Sequence, residues 1–280
     1  MDAPRTVAAL LREAAVRLAG SASPRLDAEL LLAHCLDATR AQLFAAPERV
    51  PGAAVATRFL ELVAARAAHA PLAYLTGHAE FWSLDLQVTP AVLVPRPETE
   101  LLVELALAAW PADRAGVALD LGTGSGAIAA ALARERPLLA VHACDRSAQA
   151  LAVARSNFTR LGLAVHCWSG DWLAAVAPAS VDLILANPPY VGRAETVDAA
   201  VLQEPAQAVF AEQDGLAALR AIVADTPRCL RAGGSIALEH GHAQGEAVRR
   251  LLRAAGLLDV ATHRDLAGLE RVSLARRAAD

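Results

Sequence analysis

Lysine is absent from this 280-residue chain: all 26 basic side chains are arginine. The absence reads as genome composition rather than function. No block of arginine resembles a phosphate-binding tract. With 30 acidic residues the net charge is −4 and the pI about 6.1. A tight, non-specific nucleic-acid binder carries more positive charge, so no direct nucleic-acid partner is expected. Cysteine is scarce. Cys35, Cys144, Cys167 and Cys229 lie far apart and form no C-x-x-C pair, which argues against a disulfide framework or structural zinc site. The eight histidines are scattered, and His34-Cys35 and His166-Cys167 are adjacent pairs rather than ligand spacings. No metal is expected. Long apolar runs are missing too. Hydrophobic residues make up 55% of the chain, much of it alanine, yet no run approaches the ~18 uninterrupted residues of a membrane span. Asp2, Arg5 and Arg12 interrupt any signal-peptide pattern. A soluble, cytoplasmic protein with no membrane partner is expected, with enough apolar sequence for a substantial core.

Residues 1–75 read as helical. Leu10, Leu11, Ala14 and Leu18 share one helical face. Ser23-Pro24 opens a second helix with Leu26, Leu30, Leu31 and His34 at helical spacing. A short segment near Arg40–Phe44 and a longer one over Val55–Ala68 follow, divided by Pro51-Gly52. The segment carries no catalytic-looking cluster and suits recognition better than chemistry. Residues 76–97 form a linker: Phe81, Trp82, Leu84, Leu86 and Val88 alternate as in a β-hairpin, and Val94-Pro95-Arg96-Pro97 is a stiff connector. From residue 98 to 280, helices and short apolar runs alternate. Helices are expected over Glu98–Trp110 (with Leu101, Leu102, Leu105, Ala108 and Ala109 inward), Ala127–Arg136, Ala148–Leu161 and Gly241–Ala255. Strands are expected over Val117–Leu121, Leu139–Cys144, Leu163–Trp168, Val181–Ala186, Ser235–Glu239, Val260–His263 and Arg271–Ala275. This alternation predicts an α/β doubly wound, mostly parallel seven-stranded sheet. The last two strands lack a helix between them and should pair antiparallel.

Two motifs carry chemistry. Asp120-Leu121-Gly122-Thr123-Gly124-Ser125-Gly126 joins the first sheet strand to its helix. Its glycines allow a tight turn and close ligand approach, and the helix N-terminus behind them favours an anionic group. Asp145 ends the next strand, where an acid can hold two ribose hydroxyls. Gly122-x-Gly124-x-x-Ala127 also satisfies a dinucleotide fingerprint, so NAD and S-adenosylmethionine are both open at this step. Asp120 favours the latter: a carboxylate there could engage an amino-acid ammonium but would repel a pyrophosphate. Gly170-Asp171-Trp172, after the third strand, could flank an adenine, although a tryptophan at a strand end is as often core packing. The second motif is Asn187-Pro188-Pro189-Tyr190, after the fourth strand. Two prolines fix φ and remove two donors, leaving a stiff turn of acceptors beside an aromatic ring. Such a turn suits a planar –NH2 group. The fourth strand should lie beside the first, so both motifs converge on one cleft.

With these elements the chain resembles the HemK/PrmC family of class I methyltransferases, which N5-methylate the glutamine of the Gly-Gly-Gln motif in class 1 peptide chain release factors. The resemblance runs nearly end to end. It includes Tyr74–Gly77, Glu80-Phe81, Val92–Glu100 with its Pro-Arg-Pro-Glu-Thr-Glu core, Asp120–Gly126, Asp145, Asp171-Trp172 and Asn187–Tyr190. It continues through Glu204-Pro205, Asp214–Leu216, Glu239–Gly241, Gln244 and Glu270–Val272. Ala206-Gln207 departs from it, since the family usually has a basic or bulkier residue there. The resemblance implies a class I methyltransferase fold behind a helical substrate-recognition domain. It implies S-adenosylmethionine as donor and S-adenosylhomocysteine as product. The loop Gly122–Gly126 would line the methionine part, Asp145 the ribose and Asp171-Trp172 the adenine. Asn187 and the Pro188 carbonyl would receive the substrate amide within the Asn187–Tyr190 turn, with Pro189 stiffening it and Tyr190 packing on the amide. Methylation of a ribosomal-protein glutamine, or of adenine N6 in nucleic acid, are the alternative acceptors for such a turn.

Overall fold

The computed structural model describes residues 5–212 and 214–279. It divides into two compact units, Met1–His78 with Asp198–Gln203, and Ala79–Val197 with Glu204–Asp280. Among the described residues no helix is long and apolar enough to cross a membrane.

The first unit is helical: α1 (Val7–Arg17), α2 (Pro24–Leu36), α3 (Arg40–Ala45), α4 (Ala53–Ala67) and α5 (Leu72–Thr76). The side chain of Thr6 caps α1, Pro24 opens α2, and Thr39 with Gln42 forms a capping box on α3. Leu10, Ala14, Leu31, Leu32, Phe59 and Val63 make its core. The inward face of α2 differs from the sequence expectation. Leu26 and His34 are exposed, while Asp27, Ala28, Glu29, Leu31 and Leu32 are buried. Two acids can go inside because arginines meet them: Arg66 reaches Asp27 at 2.7 Å, and Arg40 and Arg25 reach Glu29 at 2.6 and 2.8 Å.

The second unit begins with a hairpin, β1 (His78–Phe81, His78 itself falling in the first unit) and β2 (Leu84–Gln87), turning through Trp82 and Ser83 at φ of +53° and +55°. Paired positive φ values match the twist of a two-residue hairpin. A 3₁₀ turn at Pro97–Thr99 leads into α6 (Glu100–Ala109). There follow β3 (Gly116–Leu121), α7 (Ala127–Glu135), β4 (Leu139–Asp145), α8 (Ala148–Leu161), β5 (Val165–Ser169), β6 (Val181–Ala186), β7 (Val191–Gly192), α9 (Ala206–Val209), β8 (Phe210–Ala211), α10 (Ala217–Cys229), β9 (Leu230–Glu239), α11 (Gly245–Ala254), β10 (Leu258–Arg264) and β11 (Glu270–Arg276). The main sheet runs β10-β11-β9-β6-β3-β4-β5. Only β11 runs opposite to the other six strands. The expected seven-stranded, mostly parallel sheet with an antiparallel end is therefore the fold of this unit.

Alternate residues of the central strands feed opposite faces. Ala118, Leu183 and Leu185 pack with α6, α7 and α8. Leu119, Leu121, Ile184 and Ala186 pack with α10 and α11. All six residues of β6 are buried, as a strand covered on both faces requires. Several sequence expectations change, among them the starts of β9, at Leu230 rather than Ser235, and of α11, at Gly245 rather than Gly241. Helix α10 was not anticipated. Ala108 and Ala109 are exposed, and α6 buries Leu102, Val103 and Ala106 instead. Strand β5 starts at Val165 rather than Leu163, because Gly162 at φ +66° and the Leu163 amide close the end of α8.

Candidate active site

Strand β3 leaves the sheet at Leu121 and turns through Gly122–Gly126 into α7. Gly122, Gly124 and Gly126 have φ of +70°, +55° and +86°, a region glycine enters without strain. A Cβ on Gly122 would come within 3.2 Å of the Trp172 ring, so this turn and Trp172 are in contact. A Cβ on Gly126 would lie 2.6 Å from the Phe158 ring. Gly126 thus faces α8 and lies off the cavity wall, where it lets α7 begin close against α8. Asp120 lies off the wall as well, fully buried behind the loop. Its Oδ2 accepts from the Thr123 hydroxyl at 2.6 Å and from the Ala129 amide at 3.3 Å, while Oδ1 has no partner. Burial pushes its pKa up to about 7 against those two hydrogen bonds. Asp120 ties the loop to the first turn of α7.

A cavity of about 520 Å³ opens over the C-terminal ends of the parallel strands, where such sheets bind ligands. Gly122, Thr123, Gly124, Ser125, Asp145, Asp171 and Trp172 all lie on its wall. Asp145 ends β4, and its two oxygens accept from the amides of Gly124 at 3.0 Å and Ser147 at 2.8 Å. Glycine is also needed at position 170, where a Cβ would meet the Trp168 ring at 2.3 Å.

The same cavity takes in Asn187 and Pro189. Ala186 pairs with Leu238 of β9, and Leu121 of β3 pairs with Ala186, so the turn after β6 sits between the ends of β3 and β9. Asn187 donates from Nδ2 to the Thr99 hydroxyl oxygen at 3.0 Å. That bond fixes the amide and leaves Oδ1 as its free pole. Pro188 is buried and is not on the wall. Tyr190 is off the wall too. Its ring packs with the core on the α10–α11 side, and its hydroxyl donates to Glu239 Oε1 at 3.3 Å. Burial, reinforced by the neighbouring Glu239, raises the Tyr190 pKa, so the phenol is a neutral donor. Tyr190 therefore stands as a strut of the turn, its ring against the core. The Tyr190 carbonyl accepts from Gln244 Nε2 at 2.9 Å. The same nitrogen donates to the Asp214 carbonyl at 3.2 Å, and Gln244 Oε1 accepts from the Gly241 amide at 2.9 Å.

Four residues whose roles the sequence reading did not assign complete this site. Thr99 holds Asn187, Glu239 holds Tyr190, and Gln244 holds the turn's backbone. Buried Glu204 accepts from the Val94 amide at 2.9 Å and from the Arg96 guanidinium, fixing the Pro95–Thr99 wall. All four stand in the motif blocks quoted for the resemblance. The only further signal is a polar residue closing an apolar strand, as Glu239 does after Ile236-Ala237-Leu238.

Residues 9–77 match the PrmC N-terminal domain, and residues 97–213 match the methyltransferase small domain. The release factor glutamine methyltransferase of Burkholderia pseudomallei is 45% identical over 96% of this chain and 95% of its own length. The chain belongs to the release factor glutamine methyltransferase family. The enzyme of that name from Bordetella pertussis is 48% identical over 91% of this chain and 96% of its own. Among solved structures, a methyltransferase from Pyrococcus furiosus superposes with a TM-score of 0.54 at 20% identity, covering 79% of this chain and 97% of that one. At that identity the likeness speaks to the class I methyltransferase fold alone.

Proposed function

We propose that this family member transfers a methyl group from S-adenosylmethionine to the side-chain amide nitrogen, N5, of the glutamine in the Gly-Gly-Gln motif of peptide chain release factors. One observation carries the reading: Asn187, with its NH2 turned away onto Thr99, shares a cavity with the glycine loop, Asp145 and Trp172. A donor site and an acceptor-lined turn thus meet in one place. The names of the relatives supply the class of acceptor.

The walls fit the methyl donor. A side chain at Gly122 would crowd the Trp172 ring, and Asp145 stands at the strand end where a ribose diol can be received. Gly122–Ser125 would hold its methionine part, and Asp171 with Trp172 its adenine. When bound, the donor supplies an electron-poor methyl on a sulfonium. The protein's task lies with the other reactant. A glutamine amide nitrogen is a weak nucleophile because its lone pair is delocalised. Asn187 Oδ1 on the wall accepts one amide hydrogen, aims the nitrogen and offsets positive charge gathering on it; the Pro188 carbonyl, behind the wall, would take the second hydrogen on a small shift of the turn. This is positioning with electrostatic preorganisation. Pro189 keeps the turn rigid, and Tyr190 braces it from the core. The helical unit of residues 1–75 is read as the grip on the release factor, the hairpin segment 76–97 as its linker, and the cytoplasm as the place of action.

The test is mass spectrometry of purified release factor incubated with this protein and S-adenosylmethionine. One added methyl on the Gly-Gly-Gln glutamine is the expected result. Modification confined to another residue, to a ribosomal protein, or to adenine in nucleic acid would overturn the substrate assignment.

A further inference from the structure

Two buried groups beside the Asn187 turn have unmet hydrogen-bonding capacity. Thr99 is 4% exposed, and its hydroxyl oxygen accepts from Asn187, which leaves the hydroxyl proton to be placed. Glu239 is 1% exposed; its Oε1 takes the Tyr190 hydroxyl, while Oε2 has no partner. Buried polar groups left unpaired are costly. The fold brings these two together. Ala186 and Leu238 are paired in register, so the next residue on each strand, Asn187 and Glu239, leave the sheet side by side. Thr99 stands at the start of α6 and bonds Asn187 there.

We infer that Glu239 and Thr99 are positioning residues that set the polarity of Asn187: the Glu239 carboxylate accepts a hydrogen bond from the Thr99 hydroxyl, Thr99 can then act toward Asn187 only as an acceptor, and Oδ1 is thereby kept toward the substrate. The alternative polarity matters. If Thr99 instead donated to Asn187, the side-chain amide would turn over and present NH2 to the incoming amide. Two donors would then face each other, and the substrate nitrogen would lose an acceptor.

The electrostatics agree with this arrangement. Burial raises Glu239 to about 7, while Thr99, Arg271 and Tyr190 hold it down and Glu98 raises it further. Near neutrality Glu239 is thus divided between a form that can only accept from Thr99 and a form that can donate to it. The charged and titratable groups facing it are Tyr190 on the turn after β6, Arg271 on β11 and Glu98 in the turn before α6.

The inference rests on the proposed amide transfer, and the experiment separates the two. Full-length wild type, Thr99→Ser, Thr99→Val, Glu239→Gln and the Thr99→Val/Glu239→Gln double variant are assayed on a Gly-Gly-Gln peptide. S-adenosylmethionine affinity is measured by calorimetry and folding by thermal melting. No transfer by wild type to the peptide or to intact release factor overturns the proposed function. Given wild-type transfer, Thr99→Ser should keep most of the turnover, whereas Thr99→Val should lower kcat by roughly 10-fold or more, with methyl-donor affinity and melting little changed. Glu239→Gln should also lower kcat. Wild-type kcat should rise with pH through neutrality as Glu239 ionises, and Glu239→Gln should lack that rise and add little on the Thr99→Val background. A Thr99→Val variant as fast as wild type, or fully additive losses in the double variant, would overturn the inference. If Glu239→Gln does not fold, the contrast between serine and valine at position 99 decides it alone.

Discussion

Asn187 uses one half of a side-chain amide to fix the other half. Its Nδ2 is bound to Thr99, so the carbonyl pole needs no reorganisation when a substrate arrives. Asn187→Ala should lower turnover by roughly 10²–10³-fold and leave S-adenosylmethionine affinity within a few-fold, as initial rates and calorimetry will read. Gly126 is a different kind of requirement. With φ of +86° and the Phe158 ring 2.6 Å from any Cβ, Gly126→Ala should destabilise the fold by about 1–3 kcal/mol or more. Gly20, with no neighbour within 4 Å of a Cβ, is the control. Chemical denaturation of both variants measures the contrast. Asp120 and Glu239 share a third property, a pKa raised to about 7 by burial. A carboxylate raised on folding contributes stability that is present below its ordinary pKa and lost as pH rises to the folded value. Stability should therefore decline between about pH 4 and pH 7, by at most about 1.4 kcal/mol per unit for each group. Asp120→Asn and Glu239→Gln should each flatten that decline in denaturant titrations across the range.

At the scale of elements, what was legible depended on how far a contact reaches along the chain. The run Val181–Ala186 and the glycines after Leu121 declare their roles locally, because burial on both faces and positive φ each demand particular residue types. Helix α10 was hidden because Asp214-Gly215 before it and Pro227 within its last turn both read as punctuation. Its apolar positions, Leu219, Ile222 and Val223, show their meaning only against the sheet. The face of α2 was misjudged for a related reason. Asp27 and Glu29 look like surface residues until Arg66 and Arg40 arrive from other helices. Among the site residues, Asp145 and Asn187 were readable as polar ends of apolar strands. Thr99 and Glu239 were not, since 88 and 49 residues separate them from the Asn187 and Tyr190 groups they bond. The turn after β6 also depends on α11. Gln244 bonds the carbonyls of Tyr190 and Asp214 and the amide of Gly241. Gln244→Ala should cost about 1 kcal/mol and speed hydrogen exchange at the Gly241 amide, with β3 and β4 unaffected.

For the whole molecule, each unit has its own core, and every residue on the cavity wall belongs to the second. Under the proposed function, chemistry and substrate capture are then separable. Removing residues 1–75 should reduce methylation of intact release factor far more than that of a short Gly-Gly-Gln peptide. Equal losses on both substrates would count against a gripping role for the helical unit, provided thermal melting shows that the remaining chain folds.

The Asn187 turn also implies a test of chemical damage in its substrate. Loss of ammonia converts glutamine to glutamate at almost unchanged size and shape. A pocket that judged by volume would accept both. Here, with Nδ2 bound to Thr99 and proline nitrogens that cannot donate, the turn meets its guest with oxygen lone pairs. A carboxylate would bring oxygen against oxygen at the turn. Under the proposed function, a release factor deamidated at this glutamine would thus go unmodified.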